Sequence, residues 1–206
     1  MVKYSEKGED KMKKVLSKFD YNSPVVITFT LIAFAVQLIS SIPGTGAFHS
    51  LFVASRGSFL NPLFYVRLFT HVIGHGSWAH FAGNFSYILI LGPMLEEKYG
   101  SKRLTFMMLI TALLTSVIHI IFSGAGLCGA SGIVFMFILL ASCGNIREGK
   151  IPVTLILAGA AYIGKELIDS IGHDQISQLS HILGGITGAA FGFLFAPKEN
   201  EKIIPY

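Results

Sequence analysis

Residues 129–145 read GASGIVFMFILLASCGN: three small residues, Gly129, Ala130 and Gly132, around Ser131, then an almost unbroken apolar run. A run of that kind is long enough to enter a hydrocarbon layer as a helix. Polar groups at membrane depth are costly unless they line a cavity and have partners, so Ser131 is read as functional. Two further polar clusters stand in the same way near the start of apolar segments: His75, His80 and Asn84 before one, and His181 at the head of another. The chain is 52% hydrophobic and only 14% charged, with a mean hydropathy of +0.61. That composition excludes an ordinary soluble domain.

Working outward, apolar stretches are expected at about 24–42, 81–95, 104–122, 129–145, 151–168 and 179–196, each near the ~20 residues that cross a bilayer. Six crossings are the simplest count, giving an all-α polytopic bundle. The expected organisation is an N-terminal tail at 1–23, a six-helix membrane domain at 24–196 and a C-terminal tail at 197–206. Lysines 3, 7, 11, 13, 14 and 18 crowd the N-terminal tail. Lys98, Lys102, Arg103, Arg147, Lys150, Lys198 and Lys202 fall in alternate connections and the C-terminal tail, leaving Arg56, Arg67 and Lys165 on the other side. The positive-inside rule then puts both termini in the cytoplasm. The net charge of +4 follows from that placement, and no nucleic-acid partner is expected. The first 20 residues are too polar for a cleavable signal sequence, so the first apolar segment is expected to be retained.

The stretch from Pro43 to Trp78 is too long for a turn and too apolar for a disordered linker. Gly44, Gly46, Gly57, Pro62, Gly74 and Gly76 interrupt it too often for a spanning helix. It is expected to be a partly membrane-embedded loop carrying short helices. Cys128 and Cys143 would lie about 22 Å apart along one helix, beyond the reach of a disulfide.

Topology starts the second, fourth and sixth helices at the outer face, which brings His80, Asn84, Ser131 and His181 within roughly 10 Å of one depth. Gly129, Ala130 and Gly132 permit close approach of a substrate backbone, and amides at a helix start favour a developing oxyanion. The same four letters also suit a tight contact between helices. His181 shares a face with Gly184, Gly188 and Gly192, a groove that lets another helix approach closely. From there an imidazole can act as general base on the Ser131 hydroxyl. With no carboxylate at that depth, a Ser–His dyad fits better than a triad. His80 and Asn84, four apart, share a helical face and can both donate to an oxyanion beside the Ser131 backbone amide. His71, His75 and His80 could alternatively suggest a metal, but their spacing is irregular and no acidic or thiolate ligand accompanies them. Hydrogen-bonding roles are expected for His71 and His75, and no metal or cofactor is expected. His119 is expected to bond between helices.

The ordered strings Arg67-x-Phe69-Thr70-His71-x3-His75-x4-His80-x3-Asn84, Leu91-Gly92-x3-Glu96-x3-Gly100-Ser101, Gly129-x-Ser131-Gly132 and His181-x2-Gly184-x3-Gly188 together resemble the rhomboid family of intramembrane serine proteases, from about Arg67 to Gly192. The resemblance implies a rhomboid-like six-helix bundle with a long membrane-embedded first loop. It also implies cleavage of peptide bonds within or beside the transmembrane segments of substrate proteins, in a cell membrane, at a site opening to the outer side. Ser131 would be the nucleophile, His181 the base, and His80, Asn84 and the Ser131 amide the oxyanion hole. His75, Phe135, Gly129, Gly132, Gly184 and Gly188 would support them. Two positions depart from the pattern: Val66 stands where the family commonly has tryptophan, and Phe135 where it often has tyrosine. Phe135, one turn below Ser131, can stack on the His181 ring but cannot donate a hydrogen bond. The fifth helix, with Ala158, Gly159, Ala160, Ala161 and Gly164, is a family-level candidate for a lateral gate. A non-catalytic client-binding protein on the same fold is the alternative; it would keep the glycine packing without needing Ser131 and His181 together. A small transporter would call for internal repeats or broken helices with midplane charges, and neither is evident.

Overall fold

The computed structural model describes residues 21–146, a few positions between 153 and 164, and residues 177–195. Most of the expected N-terminal tail, most of the fifth apolar segment and the C-terminal tail lie outside them. Every regular element among the described residues is helical. In chain order they are α1 (Pro24–Ser40), α2 (Gly46–His49), a 3-10 turn (Ser50–Phe52), α3 (Pro62–Thr70), α4 (Trp78–Tyr99), α5 (Ser101–Phe122), α6 (Ser131–Ile146) and α7 (Ser177–Leu194).

The helix ends differ from the apolar limits because caps, not hydropathy, set them. Ser77 accepts the His80 amide as N-cap and starts α4 at Trp78, three residues before the apolar run. Gly100, at φ 80°, separates α4 from α5, which begins at Ser101 instead of near 104. His181 does not open its helix: α7 starts at Ser177, so His181 lies one turn inside. Of the described helices, α5 is long and apolar enough to cross a membrane by length and composition. Helix α1 and the parts of α6 and α7 at Ser131–Ser142 and Ser180–Leu194 are apolar but shorter. Helix α4 is as long as α5, but His80 and Asn84 in its first half and Glu96, Glu97 and Lys98 in its last turns dilute its hydropathy.

Helix α6 is the axis of the bundle. It is apolar on all faces, the pattern of a core helix, and its side chains from 131 to 138 are all buried. Helix α7 lies directly against it. A Cβ placed on Gly184 would run into the backbone of Gly132, and one on Gly188 would sit 2.9 Å from the Met136 Cα and against its carbonyl oxygen. The two backbones therefore touch without intervening side chains, which only a small-residue stripe permits. Helix α5 joins the pair through Thr111 and Thr187, whose hydroxyl oxygens are 3.2 Å apart.

Helix α1 is fastened by one buried carboxylate. Glu96 accepts the amides of Val25 and Val26, both at 3.0 Å, and the Ser101 hydroxyl at 2.7 Å. A negative charge on the first free amides of a helix satisfies donors that lack intrahelical partners and complements the helix dipole.

Candidate active site

The connection between α1 and α4 folds onto the segment that leads into α6. Ala54 and Leu127 exchange backbone hydrogen bonds of 2.9 and 2.8 Å in an isolated antiparallel bridge. Arg56 donates from Nε to the Ile120 carbonyl and from a terminal nitrogen to that of Ile121, each at 2.9 Å, capping the last turn of α5. The Ser116 hydroxyl donates to the Leu68 carbonyl and ties α3 to α5. These contacts fix both ends of the short segment from Ser123 to Ala130.

Within that segment the amides of two successive residues are taken up by the loop histidines. The Gly129 amide donates to the His71 carbonyl at 2.9 Å, and the Ala130 amide to His75 Nε2 at 3.3 Å. Nδ1 of His75 faces the Ile73 carbonyl at 3.2 Å, so the tautomer that fits both contacts has the proton on Nδ1 and a lone pair on Nε2. Burial, reinforced by the neighbouring His80, holds the pKa of His75 down at about 3 and keeps that lone pair available at neutral pH. His71 is likewise lowered by burial, to about 4.

Gly129 has φ +124°, a region L side chains rarely adopt, and it faces the residues expected for an oxyanion hole. A Cβ there would lie 2.8 Å from His80 Nε2 and 3.6 Å from Asn84 Nδ2. His80 and Asn84 thus meet the small-residue segment from α4, one turn apart. From α7 His181 brings Nε2 to 2.9 Å from Ser131 Oγ, with both residues buried. Phe135 stacks on the His181 ring at 4.9 Å between centroids and 17° between planes, which sets the plane in which Nε2 points. Gly132 makes room for Thr115 and for the Ser180 carbonyl, so α5 and α7 both reach the serine turn.

The residues singled out from sequence therefore converge: Ser131, His181, Phe135, Gly129, Gly132, His75, His80 and Asn84 around one point, with Gly184 and Gly188 on the helix contact behind it. His119 has Nε2 3.1 Å from the Ala125 carbonyl in the connection following its own helix. Arg56 and Glu96 received no role from sequence, although a lone arginine in an apolar loop and an acid near membrane depth are the kinds of residue that call for partners. No group of three or more metal-ligating side chains occurs among the described residues. The arrangement offers a hydroxyl on an imidazole nitrogen, with the polar side chains of His80 and Asn84 close to the same turn. That is the equipment of acyl transfer.

Comparison with known proteins gives the family. Residues 63–198 match the rhomboid domain family. The chain is 27% identical to the rhomboid protease GlpG of Haemophilus influenzae over 143 residues, which is 66% of this chain and 73% of that one. It is 29% identical over 132 residues to proteins of the same name from Salmonella paratyphi A and Salmonella newport. The aligned part covers 62% of this chain and 48% of each Salmonella protein, so the chain spans about half the length of those relatives.

Proposed function

The chain belongs to the rhomboid family and is an integral membrane protein, and from that premise we propose that it is an active intramembrane serine endopeptidase working through a Ser131–His181 dyad. The single observation that carries this reading is the 2.9 Å contact between Ser131 Oγ and His181 Nε2 in a buried setting. Its substrates are membrane proteins cut within or beside a transmembrane segment. In the proposed topology six helices cross the membrane, both termini are cytoplasmic, and the site opens to the outer side of the cell membrane.

In the mechanism, Ser131 Oγ attacks the carbonyl carbon of the scissile bond while His181 Nε2 takes the hydroxyl proton. The negative charge that develops on the carbonyl oxygen is received by the Ser131 amide, Asn84 and His80. In a buried site such donors act with little competition from solvent. Collapse of the tetrahedral intermediate breaks the C–N bond, and His181 passes its proton to the leaving amine. Water then attacks the Ser131 ester with His181 again as base, releasing the carboxylate product and restoring the hydroxyl. Phe135 supports this reading by keeping the imidazole in the plane the transfers need.

The test is a fluorophosphonate probe on purified protein, alongside cleavage of a transmembrane substrate. Wild type should be labelled and active. Ser131→Ala should lose both while remaining folded, and His181→Ala should lose labelling because the hydroxyl then has no base. Undiminished cleavage by Ser131→Ala would refute the dyad.

A further inference from the structure

A cleft of about 530 Å³ lies between α1, α5 and the end of α3. Phe29 of α1, Phe69, Val72, Met108 of α5 and Ile133 of α6 give it apolar walls. Val72 and Ile133 are buried, whereas Ile32 and Leu109, which also line it, are half-exposed, so the cleft opens on the outer surface of the bundle. In an integral membrane protein that surface meets lipid. The three hydroxyls of the lining are bonded within the protein: Thr28 to the Tyr21 hydroxyl at 2.8 Å, Ser101 to Glu96 at 2.7 Å, and Thr105 to the Ser101 carbonyl at 2.8 Å. Sites that orient a polar ligand present a few convergent polar groups, whereas a lining already satisfied in this way suits an apolar one.

Length and charge identify the occupant. Ser101, Thr105, Met108 and Ala112 line the cleft along one face of α5, and at 1.5 Å per residue they extend over about 16 Å. One leaflet of a ~30 Å hydrocarbon layer is about 15 Å deep, so the cleft matches the reach of a single acyl chain. One end is marked by Pro24 and Ser101, the first residues of α1 and α5. There the stretch 96–103 reads EEKYGSKR, and Lys98, Lys102 and Arg103 are exposed. Glu96 is already engaged by the Val25 and Val26 amides and the Ser101 hydroxyl, so three cations stand against the single further carboxylate of Glu97. Basic residues at the mouth of a pocket between membrane helices favour an anionic lipid headgroup.

We propose that this cleft is a binding site for a phospholipid with an anionic headgroup, one acyl chain lying along α1 and α5 and the phosphate held at the start of α5 by Lys102 and its basic neighbours. In the proposed topology this is a lipid of the cytoplasmic leaflet, but the site depends neither on which leaflet it is nor on the chemistry of Ser131. Occupancy also bears on the loop. The cleft is lined by Val72 and Ile73, which lie between His71 and His75, the two residues that receive the Gly129 and Ala130 amides. A filled cleft therefore braces the loop from behind and raises the stability of the protein.

The test uses the full chain, delipidated, in neutral detergent. Native mass spectrometry should show one phosphatidylglycerol bound per chain in preference to phosphatidylcholine, and phosphatidylglycerol should raise the melting temperature. Thr28 is exposed, so Thr28→Trp places a ring over the cleft without crowding the core. That variant should keep the lipid-free melting temperature and lose both the bound lipid and the gain it brings. Lys102→Gln, a surface change, should weaken phosphatidylglycerol binding about fivefold, the loss expected for one basic residue near an anionic headgroup, and leave phosphatidylcholine unaffected. Ser131→Ala should bind lipid as wild type does, which separates this result from the fate of the dyad. Absence of a retained lipid, equal retention of the two lipids, or undiminished binding by Thr28→Trp overturns the site. If Thr28→Trp proves less stable without lipid, Lys102→Gln decides alone, and wild-type affinity in it refutes the proposal.

Discussion

Replacing Gly188 by alanine tests whether backbone contact between α6 and α7 holds His181 on Ser131. The added Cβ would lie 2.9 Å from the Met136 Cα and 3.0 Å from its carbonyl carbon, whereas ordinary contact begins at 3.4 Å. Helix α7 must therefore retreat by at least about 0.5 Å at that point, and further where the new carbon meets the carbonyl oxygen. Overpacking of this kind typically costs about 1–3 kcal/mol. His181 stands two turns away on the same face, so the retreat is passed to a 2.9 Å contact that weakens steeply beyond about 3.2 Å. A displacement of ~1 Å at reacting groups can lower rate ~10²-fold, so a fall of about 10- to 100-fold in turnover is expected. Melting temperature and fluorophosphonate labelling rate, measured together, should both drop in Gly188→Ala, whereas Ser131→Ala should lose activity without losing stability. A Gly188→Ala protein as stable and as active as wild type refutes the argument that this face sets the dyad.

For Asn84→Ala, loss of one oxyanion donor should lower turnover about 10²–10³-fold with little change in substrate binding; steady-state kinetics separate the two. Glu96→Ala leaves the Val25 and Val26 amides and the Ser101 hydroxyl without their carboxylate partner, and thermal unfolding should report a loss of at least about 2 kcal/mol. For His71 and His75 burial holds the native pKa values at about 4 and about 3, below the ordinary histidine value of 6.5, so the unfolded chain takes up protons first. Their stabilising contribution is therefore complete above about pH 6.5 and is lost as pH falls towards 3. A melting temperature that stays flat from pH 7 to pH 4 would contradict this.

The grouping of the candidate site residues is more legible in the sequence than the contacts that support it. The four-residue spacing of Gly184 and Gly188 announced a close helix contact because a helix repeats nearly every four residues. The same period placed Phe135 one turn from Ser131 and paired His80 with Asn84. Partners such as Glu96 with Val25 and Val26, Arg56 with Ile120 and Ile121, or His75 with Ala130 follow no period. They join segments distant in sequence through backbone atoms, which every residue type carries alike, so nothing in the letters identifies them. Helix ends were misplaced for a related reason: Ser77 and Gly100 start and stop helices by local geometry, while hydropathy reports only which turns are apolar.

The suspension of the Gly129 and Ala130 amides from His71 and His75 bears on the order in which this protein comes together and comes apart. Helices α6 and α7 can pack on each other through their glycine face before the loop is in place. The serine turn acquires its final orientation only when the loop docks and takes up those two amides. Loss of the loop's contacts alone would then release the serine turn while the contact between α6 and α7 stands. A preparation whose helices remain packed but whose loop has lifted away would look folded by helix content while having no functioning nucleophile.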